Sequence, residues 1–217
     1  MKVAVLRFPG SNCDQDAYHA LKDDLGIDAD YVWHETSSLE GFDAVFVPGG
    51  FSYGDYLRCG AMASRSPVMD EVRRLAGEGA PVIGACNGFQ ILCEAGLLPG
   101  ALVRNEEQKF LCQDVHLVAE NHDSLWTKGV DRTIRIPIAH GEGRYVADEE
   151  TVRRLEGEGR IAFRYQENPN GSTGSIAGVL NDRGNVLGLM PHPERATREV
   201  LGNVDGLTIL QGLAILK

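Results

Sequence analysis

Apolar residues along the chain fall into short runs separated by glycine- and proline-containing turns. Val3 to Phe8 is one such run, and it reads as a buried strand ending at Pro9-Gly10. Asp14 to Leu25 has helical spacing and stops at Gly26. Ala29 to Trp33 and Ala44 to Val47 read as further strands, the latter ending at Pro48-Gly49-Gly50. A helix is expected from Pro67 to Ala76, with proline at its start and Gly77 at its end. Pro81 to Ala85 is a short buried strand that runs directly into a helix from Asn87 to Ala95, stopped by Gly96. The second half is richer in strands: Gln113 to Ala119, Thr133 to Ile138, Ile161 to Tyr165, Ile176 to Leu180 and Val186 to Met190. Leu207 to Leu216 reads as a closing helix. Strands alternating with helices across short loops predict an α/β fold, a largely parallel sheet covered on both faces.

The 217 residues are long enough for one α/β domain with a substantial core, expected to span 1–217. A net charge of −10 sets the surface against phosphate backbones, so nucleic acid is not an expected partner. No apolar stretch approaches the roughly 18 residues of a membrane span, and the opening apolar run is too short for a signal peptide. Five cysteines, widely spaced and without a CxxC pair, fit a reducing compartment, so a cytoplasmic protein is expected.

One of those cysteines carries chemistry. Gly84-Ala85-Cys86-Asn87-Gly88 follows a predicted strand and opens a predicted helix, which is the sulfur counterpart of the G-x-S-x-G nucleophile elbow. Gly84 and Gly88 remove the Cβ atoms that would crowd such a corner. The helix N-terminus favours a thiolate nucleophile, and the Asn87 N–H is placed to donate into an oxyanion hole. Far downstream stands Pro191-His192-Pro193-Glu194. Its prolines predict an extended backbone, in which His192 and Glu194 share a face and the carboxylate orients the imidazole. Cys93 reads as a core residue, while Cys13, Cys59 and Cys112 have no base nearby in sequence. His19, His34, His116 and His122 show no metal-ligand spacing, and neither a P-loop nor a G-x-G-x-x-G fingerprint is present. No metal site and no cofactor are expected in this chain.

These residues resemble the class I, triad-type glutamine amidotransferases. Phe8-Pro9-Gly10-Ser11-Asn12-Cys13-Asp14, the run Pro48 to Arg58, Pro137 to Arg144 and Met190 to Arg195 narrow the resemblance to the glutaminase subunits of phosphoribosylformylglycinamidine synthases. The resemblance implies a flavodoxin-like three-layer sandwich with a mostly parallel central sheet. It implies Cys86, His192 and Glu194 as catalytic triad, and an oxyanion hole from the N–H groups of Gly50, Phe51 and Asn87. Gly49, Gln90, His140 and Gly141 would contact the substrate, glutamine. The partners implied are an ATP-dependent synthetase subunit, which uses ATP and magnesium, and a small third subunit. Competing readings are a glutaminase for another synthetase, a stand-alone cysteine amidase or peptidase, and a regulatory subunit with a vestigial triad.

Overall fold

A computed structural model of the chain describes residues 1–214. The first half runs β1 (Lys2–Arg7), α1 (Asp14–His19), β2 (Asp28–Trp33), β3 (Ala44–Val47), α2 (Val68–Glu78), β4 (Val82–Ala85), α3 (Asn87–Glu94). The second half runs β5 (Ala101–Val103), β6 (Leu111–Ala119), β7 (Ile134–His140), β8 (Arg144–Val146), α4 (Glu149–Gly157), β9 (Ile161–Tyr165), β10 (Ile176–Leu180), β11 (Val186–Leu189) and α5 (Gly206–Leu210). The last part of the predicted closing helix, 215–216, lies outside the described residues. Among the described residues no helix is long and apolar enough to cross a membrane.

Nine strands form one sheet in the order β2-β1-β3-β4-β11-β10-β9-β6-β7. The first five pair in parallel, and their order is the flavodoxin-like 2-1-3-4-5 arrangement. The remaining pairings are antiparallel, so the sheet is parallel only in the half that carries the predicted chemistry. For β10 and β11 the reason is their connection. Asn181–Asn185 joins β10 to β11 in a tight reversal, and a reversal of that length makes an antiparallel pair. Burial follows the same division. β3 and β4 are buried at every position, as strands covered on both faces are, whereas β7 alternates between buried and partly exposed residues. Two apolar clusters fill the two sides, one around Phe46, Trp126 and Phe163, the other around Leu6, Met69, Phe89 and Tyr145.

The helices differ from expectation at their ends. α1 is followed by a wider turn of π type over Ala20–Asp24. α2 runs past Gly77 to Glu78, and it is Gly79, with φ 95°, that supplies the left-handed cap. The short strands β5 and β8 and the helix α4 have no counterpart in the sequence reading. α4 is capped by Asp148, whose carboxylate accepts the Thr151 N–H at 2.7 Å, an N-cap that the run Asp148-Glu149-Glu150-Thr151 could have disclosed.

α3 sits so close to the sheet that a Cβ on Gly88 would overlap the Val47 carbonyl oxygen. Gly88→Ala is therefore expected to destabilise the fold by about 3 kcal/mol or more, at the upper end of overpacking. Denaturant unfolding of the variant against the wild-type chain measures this; a loss below about 1 kcal/mol would contradict such close packing.

Candidate active site

The carboxyl ends of β1, β3, β4 and β11 converge on one point, as open parallel sheets place their ligand sites. Cys86 lies between β4 and α3 with φ 51° and ψ −110°, a strained conformation for a residue with a side chain. Its N–H donates to Leu189 O at 2.8 Å, and its carbonyl accepts from Phe89 at 3.0 Å, so the turn is anchored to both β11 and α3. Gly84 and Gly88 permit it: a Cβ on Gly84 would press on the backbone of Gly88 and the side chain of Leu92. Cys86 is only 6% exposed, and its Sγ lies 3.7 Å from Ala139 O.

His192 and Glu194 follow β11 and are 1% and 2% exposed. The segment is not extended as predicted. Pro193–Arg195 forms a single 3-10 turn, because Arg195 N–H closes back on His192 O at 3.1 Å. The pairing survives the difference: His192 Nδ1 meets Glu194 Oε1 at 2.6 Å. His192 Nε2 has no hydrogen-bond partner among the described residues, and neither does Glu194 Oε2. Burial opposes charge on the His192 imidazole, but the Glu194 carboxylate, and then Cys86, outweigh it and hold its pKa well above the ordinary value. An imidazolium held by a carboxylate on one nitrogen, with the other free beside a cysteine, can act as acid and base.

Of the expected oxyanion donors, the N–H groups of Gly50 and Asn87 have no partner among the described residues. Phe51 does not join them, since its N–H donates to Gly10 O at 3.1 Å. Gly50, at φ 128°, holds a conformation that only glycine takes readily. Gly49 is not set against the substrate pocket but behind it. A Cβ there would lie 2.8 Å from His192 Cε1 and 3.3 Å from Cys86 Cβ, so its bare Cα is what lets His192 approach Cys86.

Two cavities flank Cys86. One, about 200 Å³, is lined by Gln90, His140 and Gly141 as expected, and also by Asp55, Cys59 and Glu142. Gln90 is fixed by Asn87 Nδ2, which donates to its Oε1 at 2.8 Å, and by donating to Glu142 O at 2.6 Å. His140 is held by Asn105, whose Nδ2 donates to two carbonyls and whose Oδ1 therefore accepts from His140 Nδ1 at 3.1 Å. Burial, and then the charge of His192, push the His140 pKa down to about 4, so this histidine is neutral. Asn105 gave no signal in the sequence; its role arises from the turn it closes.

The other cavity, about 180 Å³, is lined by Asn12, Cys13, His192 and Arg195. Cys13 is the main residue that the sequence reading missed. It has no base near it in sequence, yet its Sγ accepts from Arg195 Nη2 at 3.2 Å and it lies beside His192. Burial raises its pKa against the pull of His192 and Arg195, which keeps it a thiol. Cys59 likewise comes into the site, between Asp55 and Glu142, with burial first and those carboxylates next raising its pKa. Cys13, His192 and Glu194 place three ligand atoms within 4.8 Å of one another. Arg195 sets a positive charge beside them, which disfavours a cation there.

A buried Cys–His–Glu constellation at the carboxyl ends of a flavodoxin-like sheet is the architecture of a triad-type cysteine amidohydrolase. The chain belongs to the CobB/CobQ-like glutamine amidotransferase domain family, whose model matches residues 1–207. It is similar to PurLQS from Thermotoga maritima, with 46% identity, 98% of this chain and 97% of that chain covered, and a TM-score of 0.90. Two more distant structures share the fold. A protein assigned to GMP synthase, from Thermoplasma acidophilum, is 16% identical, with a TM-score of 0.68 over 98% of this chain and 92% of that one. A glutamine amidotransferase from Thermotoga maritima is 16% identical, with a TM-score of 0.60 over 89% of this chain and 76% of that one.

His140 gives a pH test. Its pKa is ~6.5 when unfolded and about 4 in the fold. The unfolded chain thus takes up a proton first, and stability falls as pH drops from 6.5 to 4, by roughly 3 kcal/mol from this group. Urea titrations of the wild-type chain and His140→Gln across that window should show a shallower decline in the variant; parallel slopes would contradict the assignment.

Proposed function

We propose that this chain is the glutaminase subunit of a phosphoribosylformylglycinamidine synthase, acting in de novo purine biosynthesis in the cytoplasm. The observation that carries the reading is the full-length 46% identity to PurLQS, on a chain whose Cys86, His192 and Glu194 meet in one buried site.

Cys86 Sγ, as thiolate, attacks the carboxamide carbon of glutamine. The carbonyl oxygen gathers negative charge and is received by the N–H groups of Gly50 and Asn87. The imidazolium of His192 gives its Nε2 proton to the departing nitrogen, the C–N bond breaks, and ammonia leaves a γ-glutamyl thioester on Cys86. Neutral His192 then takes a proton from water, whose oxygen attacks the thioester and releases glutamate with the thiolate restored. Glu194 holds the ring in orientation and stabilises its charge. The sequence carries neither a P-loop nor a G-x-G-x-x-G fingerprint, and amination falls to a synthetase subunit that uses ATP and magnesium, with a small third subunit completing the assembly.

Glutamate release from glutamine should be slow for this chain alone. It should rise many-fold with the synthetase subunits, ATP and formylglycinamide ribonucleotide present. Rates unchanged by those partners would point to a different synthetase or an independent amidase. Cys86→Ala should lower kcat by at least ~10⁴-fold, and Glu194→Gln should be about two orders of magnitude less damaging. Equal losses in both would contradict an orienting role for Glu194.

A further inference from the structure

The cavity on the Gln90 side of Cys86 is lined by two acidic side chains, Asp55 and Glu142, and by no lysine or arginine. Neither carboxylate is well satisfied. Asp55 is half-buried and forms no ion pair among the described residues; Asn87 Nδ2 stands at a long 3.5 Å, and its other side-chain neighbour is the weak Cys59 donor. Glu142 has a single cation, Arg104, at 3.5 Å, and that guanidinium is 76% exposed and hence screened by solvent. Cys59 lies between the two carboxylates, and a single weak S–H donor cannot satisfy both. A separate observation points the same way. His140 lines this cavity, is 3% exposed, and has its Nδ1 proton committed to Asn105. Its Nε2 is therefore an acceptor, and it has no partner. Acceptor groups on three residues that line one cavity call for a ligand with several N–H donors and a positive charge.

We propose that Asp55, assisted by Glu142, forms an ammonium subsite that receives the α-amino group of the substrate, with the neutral His140 as a further acceptor on the same wall. This rests on the reading of the cavity as a glutamine pocket. It makes the chain selective for a free α-amino acid amide over the same amide lacking the amino group, or carrying it acylated. Burial raises the Asp55 pKa against the Cys59 hydrogen bond, with Glu142 adding to the rise; an ammonium bound there would restore the charged form.

The discriminating probe is glutaric acid monoamide, which is glutamine without its α-amino group. Asp55→Asn keeps the shape and tolerates the positive φ of 53° at this position. Hydrolysis of both amides is measured with the synthetase subunits present. Asp55→Asn should lower kcat/KM for glutamine by about 10- to 100-fold while the value for the monoamide stays within about twofold, so that the preference for glutamine collapses. Glu142→Gln should shift the preference in the same direction by less. A variant that keeps the wild-type preference overturns the subsite. So does one that loses both activities equally, since Asp55 would then serve only its turn. A wild-type chain that hydrolyses neither amide contradicts the glutaminase reading itself.

Discussion

The arrangement depends on the backbone of one residue. Cys86 is held at positive φ at the junction of β4 and α3, and the N–H that follows it is left without a partner among the described residues. Such a conformation costs of order 1–3 kcal/mol and persists only where its surroundings enforce it. Here they do so from several sides. Gly84 and Gly88 let α3 close onto β3 and β4, Leu189 O fixes the Cys86 N–H from β11, and Gly49 leaves room for His192. The strand order then brings the loops after β1, β3 and β11 to the same point.

Charge is divided about that residue. On one side lie the His192 imidazolium, Arg195 and the Cys13 thiol; on the other, Asp55, Glu142 and a neutral His140. Both cations on the first side are paired, His192 with Glu194 and Arg195 with Asp16. The negative side suits the cationic end of an amino acid.

Much of this was legible in the sequence because it depends on local pattern. The G-x-C-x-G turn between an apolar run and a helical one encodes the geometry of Cys86 directly, and His192 and Glu194 are two positions apart in the chain. The parallel strands β3 and β4 announced themselves as unbroken apolar runs. What stayed hidden depends on contacts between distant segments. Nothing near Cys13 in sequence discloses that His192 and Arg195 arrive from some 180 positions away (Arg195 to Cys13 spans 182). Asn105 likewise acts by bridging to the His140 turn. The engagement of the Phe51 N–H by Gly10 is set by the meeting of two loops, which the resemblance that implied it as an oxyanion donor does not show. The antiparallel pairing of β10 with β11 follows from a turn length that apolar patterning does not weigh.

The central claim is that Cys86 forms a covalent bond to the substrate's acyl group. It is tested most directly by mixing the chain with glutamine, quenching in acid, and locating the acyl adduct by peptide mass spectrometry. The account predicts a glutamyl increment on the peptide carrying Cys86, removed by hydroxylamine as a thioester should be. Glutamate released while the adduct sits on Cys13 or Cys59, or while the Cys86→Ala chain forms the same product at the same rate, would contradict it.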